Sequence, residues 1–185
     1  MRATTKKRES TPPNYKPPHT ISRSDYLRGE SDAEFRESIY ALVQCVGRLL
    51  MCREAFGRSL GLTASQYAVL MGVAYRQGDE GVTVRDLSEH IAVAPTHVTT
   101  EVGRLVRKGL LIKRPSSSDR RSVLVSLSRR GETAIAEVAP FVRKINDLLF
   151  ENVSLSDLDT SRKVSRALFR NSEHVLVELR QRQRE

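Results

Sequence analysis

Between residues 95 and 108 the apolar side chains Val98, Val102, Leu105 and Val106 recur three and four apart. That spacing predicts a helix with one inward face and an opposite face carrying Thr96, Thr100, Arg104 and Arg107. Just upstream, Thr83 with Asp86 three residues on marks another helix start. Leu87 and Ile91 face inward there, and a turn near Ala92 and Val93 leads into the longer helix. Downstream, residues 110–114 suit a strand, and residues 122–127 alternate with Val123, Val125 and Leu127 on one face. Between these strands, residues 115–121 form a polar tip with Arg120 and Arg121 adjacent. Two helices joined by a short turn, the second with a small polar N-terminus and a basic outer face, match a helix-turn-helix whose second helix enters the major groove. The hairpin makes it winged, and a guanidinium at its tip can rest on phosphate or enter a minor groove.

The flanking segments are helical. Ser31 and Glu34 have capping-box spacing, and Phe35, Ile39, Leu42, Val43, Val46, Leu49, Leu50 and Phe56 form one stripe to about Gly57. Arg53 falls on that stripe, where a buried charge needs a partner or an edge to reach water. Its guanidinium could also wall a pocket for an anion. Thr63 and Gln66 form a second capping box, opening a helix through Tyr67, Val69, Leu70, Val73, Ala74 and Tyr75 that ends at Gln77 and Gly78. Ser128 should cap a helix with Ile135, Val138, Phe141, Val142, Ile145, Leu148 and Leu149 on its stripe, and Pro140 predicts a kink or break in it. A last helix, after residues 153–157, carries Leu158, Val164, Leu168, Val175, Leu176 and Leu179. One small protomer would struggle to cover the apolar faces of the first and last helices, and pairing across a two-fold axis removes the difficulty. Residues 1–30, with Pro12, Pro13, Pro17 and Pro18 among six Lys and Arg after residue 5, offer little for a core and read as a flexible basic arm.

Charge sharpens this picture. Of 185 residues, 31 are Lys or Arg and 22 Asp or Glu, a formal charge of +9. The excess concentrates in residues 94–130, where nine bases stand against Glu101 and Asp119 and leave +7, an electrostatic footprint for nucleic acid. No apolar run is long enough to span a bilayer and the N-terminus lacks a signal-peptide core, so a cytoplasmic protein is expected. Cys45 and Cys52, seven apart on one helix, lie too far from each other to bridge. His19, His90, His97 and His174 are scattered, with no Cys-x-x-Cys, glycine-rich phosphate loop or paired metal-ligand spacing. The reading is therefore not an enzyme, with no metal and no cofactor.

The ordered motifs resemble the MarR family of bacterial transcription regulators. Lys108, Gly109 and Leu110 close the recognition helix, and Asp119 and Arg121 stand at the wing tip. Val123, Leu124, Val125, Ser126, Leu127 and Ser128 follow, with Gly131 trailing, while residues 61–67 look like the opening of that family's second helix. The resemblance implies a mainly α fold with a small β-hairpin wing (α+β), with terminal helices that join a homodimer. Residues 1–30 would be the arm, 31–62 a dimerisation helix, 63–128 the winged module, and 129–185 the C-terminal dimerisation helices. It implies a repressor that binds a pseudo-palindromic operator in double-stranded DNA and is released by a small effector, with aromatic acids or related thioesters favoured. DNA contacts fall on Thr96, His97, Thr100, Arg104, Arg107, Arg114, Ser117, Asp119, Arg120 and Arg121, where Arg121 takes the minor groove and Asp119 orients it. Tyr40, Arg53, Tyr67 and Tyr75 are the effector-pocket candidates. Certain relatives sense hydroperoxides through a cysteine that would fall at about Ile39 here, which disfavours a redox sensor of that branch. An architectural or DNA-processing protein that borrows the module without sensing a ligand remains the alternative.

Overall fold

The computed structural model describes residues 15–116 and 122–183. It divides into two compact units, the first ending at Ala68 and the second beginning at Val69.

The first unit is built on α1 (Ala33–Ser59). Asp32 is its N-cap residue and makes no side-chain cap bond, so the expected Ser31/Glu34 capping box does not form. Ser31 Oγ instead accepts from the Ala33 amide at 3.2 Å, and Glu34 pairs with Arg28 at 3.1 Å. The reason lies in Asp32, whose side chain is 1% exposed and committed elsewhere. It accepts from the Thr20 amide at 2.7 Å and the Thr20 hydroxyl at 2.8 Å, and Arg36 Nη1 lies 3.2 Å from its other oxygen. The Thr20 amide is the main influence holding the Asp32 carboxyl below its ordinary value.

The segment read from sequence as an arm thus has local structure over residues 15–32. A 3-10 turn spans Ser24–Tyr26, and Arg28 bridges to Ser31. The Tyr26 ring meets Phe35 edge-on at 5.3 Å, while the Arg23 guanidinium lies 4.7 Å from the Tyr26 centroid. Along α1, Ile39, Leu42, Val43, Val46, Leu49 and Leu50 are all exposed, Val43 at 65%. Arg53 is exposed with them, so it bears no desolvation cost that would demand a partner. Cys45 and Cys52 are free thiols. At the helix end Phe56 is buried, and Leu62 N donates to the Gly57 carbonyl at 2.9 Å while Gly61 takes a left-handed φ of 65°. The Thr63/Gln66 capping box forms as expected, with the Gln66 amide donating to Thr63 Oγ1 at 3.2 Å and the Thr63 amide to Gln66 Oε1 at 3.3 Å.

Helix α2 is Ala64–Arg76. From Val69 onward the second unit continues with β1 (Val82–Thr83), α3 (Val84–Ile91), α4 (Pro95–Arg107), β2 (Leu111–Pro115), β3 (Val123–Leu127), α5 (Arg129–Leu149) and α6 (Leu155–Arg182). The three strands form an antiparallel sheet in the order β1-β3-β2. Strand β1, two residues long, carries too little pattern to be read from sequence. Leu70, Val73, Leu87, Val98, Val102, Leu105 and Val125 are fully inaccessible, each worth about 1.5–3 kcal/mol of burial. Of the kink or break expected at Pro140, the break does not occur: helix α5 runs on through it. The exposed Pro140 costs one helical hydrogen bond, while on the same helix Val138 is buried and Val142 and Ile145 are half-buried. On α6, Val164, Leu168, Phe169, Val175, Leu176 and Leu179 are about half exposed. No helix among the described residues is long and apolar enough to cross a membrane.

Candidate nucleic-acid interface

Helix α3 starts as its sequence predicts: the Asp86 amide donates to Thr83 Oγ1 at 3.1 Å, and the Thr83 hydroxyl to Asp86 Oδ2 at 2.8 Å. It ends on Ala92, a non-glycine residue at φ 54°, with the Val93 amide donating back to the Ser88 carbonyl at 3.1 Å. That left-handed residue turns the chain into α4. Ala94 offers no side-chain cap, and Pro95 takes the first helical position, where its missing amide hydrogen loses nothing.

Helix α4 buries Val98, Val102 and Leu105 completely, while Val106 is only half-buried. Glu101, unexpected on a buried face, is 2% exposed. Thr96, His97, Thr100, Arg104 and Arg107 are all exposed, as the helical period requires. The Thr100 hydroxyl donates to the Thr96 carbonyl at 3.0 Å, and the Thr99 hydroxyl to Pro95 at 2.9 Å. With its proton turned back to the helix, Thr100 offers the groove a methyl and oxygen lone pairs, suiting a thymine methyl or a base amino group. Arg104 Nη1 lies 2.5 Å from Glu101 Oε1.

The wing strands pair from Leu111 with Leu127 to Pro115 with Val123, and the Ser116 amide closes the hairpin onto the Ser122 carbonyl at 2.9 Å. The predicted tip contacts Ser117, Asp119, Arg120 and Arg121 lie outside the described residues. Arg114, an expected DNA contact, is exposed and gives Nε to the Glu80 carbonyl and Nη2 to the Asp79 carbonyl, both at 3.2 Å. It braces β2 against the turn before β1, a long-range role that local sequence does not signal. Likewise the Leu127 amide donates to Gln77 Oε1 at 2.8 Å. Between the start of α3, α4 and the wing base runs an open groove of about 560 Å³, lined by Thr83, Arg85, Asp86, Thr99, Lys113 and Ser122 among others. Its hydroxyls and two cations suit a phosphate backbone, the one carboxylate, Asp86, being engaged by the Thr83 hydroxyl. Sequence reading missed Arg85, because its neighbours in space come from the wing.

One junction fixes the wing and α4 relative to each other. Gly109, at φ 71°, ends α4, and the Leu110 amide donates to Leu105 at 2.9 Å. Ser128 caps α5 through the Gly131 amide at 3.0 Å, donates its hydroxyl to the Gly109 carbonyl at 2.6 Å, and gives its own amide to the Leu110 carbonyl at 3.0 Å. A Cβ on Gly131 would run into that Leu110 carbonyl, which explains the glycine there.

The effector candidates have unlike environments. Tyr67 is buried, its ring 6.0 Å from that of Phe56, whereas Tyr40 is 68% exposed and Tyr75 74%. Arg53 is also exposed. Among the described residues no group of three or more His, Cys, Asp or Glu could hold a metal.

Residues 60–122 match the sequence model of the MarR family. A transcriptional activatory protein, BadR of Rhodopseudomonas palustris, is 28% identical over 120 residues, 64% of this chain and 69% of BadR. Among solved structures, CouR from Rhodococcus jostii RHA1 bound to p-coumaroyl-CoA is similar at a TM-score of 0.62 and 21% identity, over 70% of this chain and 89% of CouR. A mutant MarR from E. coli complexed with operator DNA gives 0.58 and 22%, over 71% and 93%. At such identities the structural likeness carries the fold, and the family match is confined to residues 60–122, the winged module. Over residues 60–122 the chain is therefore similar to the MarR family of transcription regulators.

Proposed function

We propose that this regulator binds a pseudo-palindromic operator as a homodimer and represses transcription until a small effector releases it. The supporting observation is the outward face of α4, where Thr96, His97, Thr100, Arg104 and Arg107 stand exposed above a buried apolar stripe. The groove beside the wing base gives the flanking phosphates a seat. Dimerisation is supported by the exposed apolar faces of α1 and of α6, each long enough to need a cover. On this reading residues 31–62 and 129–185 join the protomers, 63–128 reads DNA, and the first thirty residues form the basic arm. The site of action is the cytoplasm, where the operator lies.

Tyr40, Arg53, Tyr67 and Tyr75 are proposed to line the effector site. An aromatic acid or its thioester is the proposed ligand, of the class that CouR carries in its solved structure. Release needs only that the effector prefer a dimer with wrongly spaced recognition helices, and a tenfold loss of affinity takes about 1.4 kcal/mol. A second reading, activation at the bound site, is favoured by the likeness to BadR, described as an activatory protein.

The decisive experiment combines light scattering with gel shifts on the DNA upstream of the protein's own gene. A dimer that binds this DNA and lets go in the presence of an aromatic acid or thioester found by thermal-shift screening supports repression. Binding that the same ligand strengthens favours activation. Binding that no ligand changes returns the protein to an architectural role, and a monomer indifferent to duplex DNA at low salt removes the proposal.

A further inference from the structure

Helix α4 buries four side chains, and three of them are apolar: Val98, Val102 and Leu105. The fourth is Glu101, 2% exposed, with Oε1 at 2.5 Å from Arg104 Nη1 and Oε2 without a hydrogen-bond partner among the described residues. A buried carboxylate oxygen without a protein partner lowers stability, and an ion pair to a half-exposed arginine returns little because water screens it. An unbranched apolar side chain of similar volume would serve the core better. The gain from Glu101 therefore lies outside the core, in the group it holds.

That group is Arg104, three residues on, at the border between the buried stripe and the outward face. Its side chain is 50% exposed, and the bond to Glu101 uses Nη1. The remaining donors, Nε and Nη2, belong to a rigid planar fork whose direction is set once one corner is fixed. Glu101 itself is confined by burial, so the fork is anchored to the helix rather than swinging on a long flexible stem. A fork oriented in advance loses less freedom on binding and tells one base edge from another more sharply. We propose that Glu101 is a positioning residue for base discrimination, fixing the Arg104 guanidinium on the recognition helix. The proposal rests on α4 reading DNA, as set out above.

The test uses the full chain with Glu101→Met, Glu101→Gln, Arg104→Met and the Glu101→Met/Arg104→Met pair. Each is assayed for melting temperature and for the ratio of upstream-DNA to scrambled-duplex affinity. Glu101→Met should melt at or above the parent temperature, yet lose about fivefold or more of that ratio, the low end for a guanidinium-to-base contact. Arg104→Met should lose a similar factor, and the pair no more than either alone. Glu101→Gln, which keeps an acceptor for Arg104, should recover part of the loss. Undiminished discrimination in Glu101→Met overturns the proposal, whether or not its melting temperature falls. So does a Glu101→Met effect that persists at full size in the Arg104→Met background. Failure of the parent protein to bind any duplex would defeat the DNA-reading assignment instead, before any variant is compared.

Discussion

Alanine at two helical glycines should move stability in opposite directions. Gly103 lies inside α4, and a Cβ built there meets nothing within 4 Å. Helix propensity alone then acts, and Gly103→Ala should stabilise by about 1 kcal/mol. Gly131 lies in the first turn of α5, and its Cβ would press on the Leu110 carbonyl oxygen and lie 3.1 Å from the Leu110 carbonyl carbon. Both atoms are backbone, so no side chain can turn away. Relief requires α5 to back off the hairpin, which strains the overpacked contact by about 1–3 kcal/mol. It also weakens the bond from the Ser128 amide to the same oxygen, now 3.0 Å, by about 1 kcal/mol. Set against a propensity gain under about 1 kcal/mol, Gly131→Ala should destabilise by about 1–4 kcal/mol. For a chain of this size that is a fall in Tm of about 2–16 °C, against a rise of about 2–4 °C for Gly103→Ala. Thermal melts followed by far-UV circular dichroism measure both. If the two variants shift the same way, the close approach at Gly131 is not what the packing rests on.

Operator affinity should fall steeply with added salt, because several phosphates are neutralised; a nearly flat plot of log affinity against log salt would count against the basic footprint. Arg121→Ala should cost about 1–3 kcal/mol at the specific site, read by gel shift, and unchanged affinity would take the wing out of the interface. Arg53→Leu should bind DNA normally and no longer respond to effector; a normal response refutes its assignment. Asp32 has a folded-state carboxyl held below its ordinary 3.8, so the stability it contributes is present above that pH and is lost as pH falls through the lower folded value. The Thr20 amide resonance should therefore shift on acidification below about pH 4, and should lose that response in Asp32→Asn.

Much of the chain from Thr63 onward was legible because its pattern is local. The period of Val98, Val102 and Leu105 placed α4, and Thr83, Ser128 and the Thr63/Gln66 pair announced helix starts that all form. What escaped depends on partners far along the chain. Arg114 reads as a basic wing residue until Asp79 and Glu80 are seen behind it, 35 and 34 residues earlier. Ser31 and Glu34 have capping-box spacing, but Thr20 engages Asp32 and the helix starts without that box. Glu101 shows the limit of periodicity, since three residues from Val98 should have signalled an inward position that its charge concealed. At Pro140 only the break failed to appear, since a proline removes one hydrogen bond and the rest of α5 keeps its own.

Both strands of the hairpin are bolted to the same neighbour: β3 through Gln77 at the close of α2, and β2 through Arg114 to the turn just after it. The hairpin base therefore rides on that helix like a blade on a handle. A tilt at the close of α2 would therefore carry the paired bases of β2 and β3 with it, leaving the bonds at their root intact.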